Sequence, residues 1–158
     1  MKKLLTMVLC LMLGVSLVAC TTPAAAVETK RVEGALTDLF AEIYKNTGVE
    51  APMLQEFVVD DANKAGMLGT DEVAIAEGLA SEAAIMTIPH SMVLIRVPEN
   101  TDIEKTKQLI RDNVNPRKWI CVGVEADQVI VDSIGDLVFL VMSANAQAYH
   151  DSFLKLGA

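Results

Sequence analysis

The sequence predicts an α+β domain: an antiparallel sheet of about four strands with helices packed on it, in the order α-α-β-β-α-β-β-α. Three observations carry that expectation. The runs at 92–97, 129–131 and 137–142 are apolar and rich in β-branched residues, as buried strands require. Other stretches place apolar residues three and four positions apart, the spacing of one helix face. The strands also come in pairs separated by a helix, which suits antiparallel neighbours joined by short turns.

The first helix is expected over about 30–46, where Val32, Leu36, Leu39, Phe40 and Ile43 share a face and Gly48 supplies a left-handed stop. Pro52-Met53-Leu54 opens an irregular connection. Asp60-Asp61 then reads as the acidic start of a short helix that carries Ala65 and Leu68 and stops at Gly69. Thr70-Asp71-Glu72 repeats the cap pattern. The tract 73–88, with Glu77 and Gly78 inside it, reads as an irregular or bulged strand ending at Pro89.

A central strand follows at 92–97, closed by Pro98-Glu99-Asn100. Thr101-Asp102-Ile103-Glu104 is a capping-box pattern, and Ile103, Leu109, Ile110 and Val114 form the stripe of the helix it opens. Asn115-Pro116 ends that helix, because a residue before proline resists helical geometry. Two strands joined across Ser133-Ile134-Gly135-Asp136 come next. The second holds six successive apolar residues, so both its faces are expected to be covered. A last helix buries Ala146, Tyr149, Phe153 and Leu156.

Ahead of this domain, Lys2 and Lys3 precede an apolar run over 4–15, and Leu17-Val18-Ala19-Cys20 follows. Positive charge, a short apolar run and small residues before a cut describe a secretory signal peptide. The thiol placed after the cut makes it a lipobox, so Cys20 is the expected site of diacylglycerol attachment. Residues 1–19 are read as the signal, 20–29 as the lipidated cysteine and a short tether, and 30–158 as one extracytoplasmic domain anchored by lipid.

Removing residues 1–19 leaves 139 of the 158, enough for one core. Two of the 13 basic residues leave with the signal, so eleven stand against 21 acidic ones. That balance disfavours nucleic acid as a partner and leaves membrane attachment to the acyl groups. Cys121 is then the one cysteine of the domain apart from Cys20, and no internal disulfide is expected.

The segment Leu39-Phe40-Ala41-Glu42-Ile43-Tyr44 with Gly48, then Pro52 and Met53, and the tract Asn115-Pro116-Arg117-Lys118-Trp119-Ile120-Cys121-Val122 with Gly135-Asp136 form a pattern of core and turn positions. It resembles exported bacterial lipoproteins grouped as domain of unknown function 4358. The resemblance spans about residues 36–156. It implies a lipobox-bearing protein, mostly of Gram-positive bacteria, on the outer face of the cytoplasmic membrane. It brings no catalytic residues with it.

Candidate chemistry is sparse, and no catalytic residue, cofactor or metal is expected. Cys121 between Ile120 and Val122 reads as a small buried hydrophobe. The rival reading is a thiol hydrolase using Cys121 with His90 as base. His90 after Pro89 reads as a turn residue bonded to its own backbone, and His150 as a solvated helix residue. Asp60, Asp61 and Asn63 lack the spacing of a calcium loop. Met53, Met67, Met86, Met92 and Met142 read as core filler.

The one surface candidate is the basic tract Lys105, Lys107, Arg111, Arg117 and Lys118 with Trp119, whose bases face only Asp112 between 105 and 118. Such a field collects anionic envelope components or an acidic protein. The commoner reading of the same five charges is a solvated helix face, and of Trp119 a core residue. The sequence therefore points to a non-enzymatic binding module of the envelope, with a purely structural spacer as a further alternative.

Overall fold

The computed structural model describes residues 30–158, so the signal peptide, Cys20 and the tether lie outside the described residues. The described residues form four α-helices and five strands. They are α1 Leu36–Asn46, β1 Leu54–Val58, α2 Lys64–Leu68, β2 Glu77–Ala83, β3 His90–Arg96, α3 Ile103–Asn113, β4 Val129–Ile134, β5 Leu137–Ser143 and α4 Ala146–Leu154. The strands form one sheet, in the order β1-β2-β3-β5-β4 with every neighbouring pair antiparallel. The α+β class is as predicted, with five strands in place of four.

Every residue of β3 and β5 is buried, because the sheet is covered on both faces. Alternation then divides their side chains between two cores. Met92, Leu94, Leu137, Phe139 and Val141 pack under α1 and α4 against Phe40, Ile43, Tyr149 and Phe153. Val93, Ile95, Val138, Leu140 and Met142 pack on the other face against Leu68, Ile110, Trp119 and Val124. Phe139 and Phe153 stack at 4.5 Å between ring centroids. Burying each of these large side chains contributes about 1.5–3 kcal/mol.

Several local expectations are corrected. The added strand β1 falls where an irregular connection was expected. Its sequence Leu-Gln-Glu-Phe-Val is half-buried only at Leu54, so no alternation marks it. Helix α1 begins at Leu36, not near 30. Residues 30–35 are held against one end of the sheet: Asp136 N–H donates to Lys30 O at 3.2 Å and Val32 N–H to Asp136 Oδ1 at 2.9 Å. Buried Arg96 completes the clamp, donating to Val32 O at 2.6 Å and Gly34 O at 2.5 Å, and pairing with Asp136 at 3.0 Å.

The irregular or bulged strand expected over 73–88 is a regular one over Glu77–Ala83. Gly78 sits inside it because a Cβ there would meet Val59 O at 2.6 Å. The short helix stops at Gly69 as expected, with φ +82°. The next cap pattern starts no helix, and Thr70 Oγ1 only accepts Glu72 N–H at 3.1 Å. Asp102, not Thr101, caps α3, its carboxylate accepting Lys105 N–H at 2.9 Å while the Thr101 hydroxyl donates to Pro98 O.

Candidate functional site

The densest polar constellation lies at one end of the sheet, under α1 and α4. His90 opens β3 and is 2% exposed. Its Nε2 is 2.9 Å from the Tyr44 hydroxyl of α1, and its Nδ1 is 3.2 Å from Ser143 Oγ at the end of β5. Register brings these together, since His90 and Ser143 are directly opposed in the β3–β5 ladder. Tyr44 donates its proton to Ser81 Oγ of β2 at 2.9 Å. The phenol oxygen must then accept Nε2–H, and Nδ1 accepts the Ser143 hydroxyl, a tautomer assigned from the network. Ser143 Oγ also accepts Asn145 N–H at 3.3 Å.

Tyr149 of α4 closes the cluster edge-on, its ring 5.1 Å from His90 and 5.5 Å from Tyr44. Burial lowers the His90 pKa to about 4, with Glu82 opposing weakly, so the imidazole is neutral near pH 7. Burial likewise raises Tyr44 well above the usual phenol range, against the Ser81 hydrogen bond, and raises Tyr149. A cavity of about 400 Å³ borders the cluster, lined by Pro52, Ile88, His90, Ser143, Asn145 and Tyr149. His90 is therefore a buried strand residue joined to distant side chains, not the self-bonded turn residue expected.

Ser91 points to the opposite face and anchors a second group there. Lys118 donates to Ser91 Oγ at 3.0 Å and to the Glu82 carboxylate, which also accepts from Ser91 at 2.9 Å. Trp119 is buried beside it, with the Lys118 ammonium 5.6 Å from its ring centroid. Its Nε1 is the one fully buried side-chain polar atom without a hydrogen-bond partner among the described residues.

These contacts break up the basic tract. Lys107 is buried, pairing with Glu104 at 2.6 Å and Asp132 at 3.5 Å. Arg111 donates to Val131 O at 2.7 Å. Lys118 faces Glu82, and Trp119 belongs to the core. Lys105, Arg111 and Arg117 are exposed, Arg117 lying 3.7 Å from Glu125. Lys107 and Lys118 are thus drawn to carboxylates of the sheet, away from the other three bases.

Asp132 gathers two of the expected surface groups, Lys107 and His150. His150 Nε2 lies 2.8 Å from Asp132 Oδ2, so His150 is paired and not solvated. Burial pushes the Asp132 pKa up, but hydrogen bonds from His150 and Ser133 N–H together with the Lys107 charge outweigh it and leave it below the ordinary value.

Cys121 is exposed, with φ +61°, where burial was expected. Trp119 and Val124 anchor the segment in the core, and between them the chain bulges outward with Ile120 61% exposed. Cys121 follows Trp119 on one face of the sheet, and His90 sits under the helices of the other. Both ring nitrogens of His90 are also committed. The structure does not bring the thiol and this base together.

Among the described residues no group of three or more His, Cys, Asp or Glu side chains is placed to hold a metal ion. Asp60 Oδ1 accepts Ala62 N–H, and Asp61 pairs with Lys64 at 2.7 Å, so these oxygens shape a turn. Met92 and Met142 fill the core, but Met53 and Met86 are exposed, against expectation. No helix among the described residues is long and apolar enough to cross a membrane. No family model, curated protein or solved structure matches this chain.

Proposed function

We propose that this chain is a lipid-anchored extracytoplasmic domain that acts as a non-enzymatic binding module at the cell envelope. One observation carries the reading: Lys2 and Lys3, the apolar run over 4–15 and Leu17-Val18-Ala19-Cys20 stand in the order an exported lipoprotein needs. The resemblance to exported lipoproteins of unknown function 4358 supports the same address. The acidic balance supports anchoring by acyl chains over adsorption to an anionic bilayer.

The binding role is favoured over thiol hydrolysis by the state of His90. A general base needs a free nitrogen and a pKa near the working pH. His90 has Tyr44 and Ser143 on its two nitrogens and a pKa near 4. Replacing Cys20 with Ser tests the anchoring: the variant is expected to lose palmitate labelling and leave the membrane fraction. Unchanged labelling and sedimentation would overturn the reading.

A further inference from the structure

We propose that the outer edge of β1 is the docking surface of this module, and that its partner is an extended protein segment alternating apolar with lysine or arginine side chains, added to the sheet as a sixth strand. This rests on the binding reading above and names its surface and the chemistry of its partner.

The exposed apolar residues are not scattered. Of eight exposed large hydrophobics among the described residues, six lie in β1, just before it or in the neighbouring β2–β3 turn: Met53, Phe57, Val58, Ile85, Met86 and Ile88. Met53 and Val58 are 74% and 67% exposed, on a domain that buries every residue of β3 and β5. A cluster of this kind marks an interaction surface where single exposed residues would not.

The backbone of the same strand is open. Ala84 N–H bonds Met53 O and Val59 N–H bonds Gly78 O, which turns the odd-numbered residues of this stretch toward β2. The N–H and C=O groups of Leu54 and Glu56, and the N–H of Val58, therefore face outward. Val58 O is already taken by the Asn63 side chain at 2.7 Å, so the free ladder ends there. No lysine or proline within β1 blunts this edge, as edge strands usually require.

Charge selects the partner. Residues 46–95 carry eight acidic side chains and one basic one, Lys64; Asp61, Glu77 and Glu82 are paired with Lys64, Arg96 and Lys118, and Glu50, Glu56, Asp60, Asp71 and Glu72 are exposed with no ion pair among the described residues. At the end of β1 lies a cavity of about 410 Å³ whose walls include Val58, Ile75 and Leu79, with the carboxylate of Asp60, free of ion pairs among the described residues, beside them and those of Asp61 and Glu77 already paired with Lys64 and Arg96. Apolar walls with carboxylates accept the aliphatic stem and cationic head of one lysine or arginine. In strand addition, main-chain bonds supply affinity and such side-chain pockets supply specificity. A second copy of this chain is a poor occupant, because it would set two strands whose only charge is negative side by side. An anionic bilayer is repelled for the same reason.

The test is site-specific photocrosslinking in intact cells, with the full chain carrying the photoreactive residue at Val58 or, separately, at Arg117, followed by sequencing of the attached peptide. The expected adduct forms at Val58, on a segment of another protein with basic and apolar residues in alternation. Its yield falls at least tenfold with Glu56→Lys and about two- to fivefold with Glu56→Gln, both at an exposed position that leaves the core untouched.

An adduct at Val58 on a second copy, on lipid, or on a segment without basic residues overturns the proposal. So does a yield indifferent to Glu56→Lys. An adduct at Arg117 alone overturns this surface but leaves the binding reading standing, whereas none at either position removes both.

Discussion

Burial of His90 makes the stability of the fold depend on pH in a way that can be worked out in advance. Its pKa is about 4 in the folded chain and 6.5 in an exposed one. Between those values the unfolded chain binds a proton at this site that the folded chain refuses, so stability rises with pH across the window and is lost as pH falls from 6.5 toward 4. At about 1.4 kcal/mol per pH unit, the whole window is worth about 3 kcal/mol. About 2 kcal/mol of that falls between pH 7.5 and 5, above the range in which most carboxylates titrate.

The perturbation is His90→Gln, which keeps a donor and an acceptor but cannot titrate. Urea unfolding of the domain, residues 30–158, is compared with that of the variant at pH 7.5, 6 and 5. At a urea slope of about 1.5 kcal/mol per molar, the parent midpoint should drop about 1.3 M more than the variant's between the outer two values. His150 is present in both chains, so the difference isolates His90. Equal acid losses in parent and variant, or an NMR titration of the His90 ring centred near 6.5, would show that the folded chain takes up this proton as readily as the unfolded one.

Two further outcomes follow from the geometry. Arg96→Met leaves Asp136 buried with Val32 N–H alone and strips the carbonyls of Val32 and Gly34 of their donor. The expected cost is about 3–5 kcal/mol, partly recovered in the double variant with Asp136→Asn, which removes the stranded charge. A loss under about 1 kcal/mol in urea unfolding would show that the clamp on residues 30–35 is not made. Cys121, being exposed, should react with iodoacetamide in the folded domain within about threefold of the rate of an unstructured thiol peptide, and protection until denaturation would contradict its placement.

What the sequence made legible were elements whose signals are local. β5 announced itself because covering on both faces demands six apolar residues in a row, and α2 ended at Gly69 because the chain turns left-handed there. The start of α1 was unreadable, since residues 30–35 are held by Arg96 and Asp136, more than sixty positions away. β1 was missed because an exposed edge strand has no face to bury.

The polar clusters were hidden for the same reason as the α1 start. Tyr44, Ser81, His90 and Ser143 meet only through strand register, and no spacing along the chain records it. Lys107 and Lys118 looked like neighbours on a basic face because Glu82, the partner of Lys118, and Asp132, the second partner of Lys107 after nearby Glu104, lie elsewhere in the sequence. Position in sequence finds charges, and the fold decides which of them stay free.

The proposed anchoring at Cys20 is tested most directly by the intact mass and N-terminal peptide of the protein extracted from membranes. The expected chain begins at Cys20, lacks residues 1–19, and carries a diacylglyceryl group on that sulfur. A chain that retains Met1, starts at another residue, or bears an unmodified Cys20 thiol would contradict it.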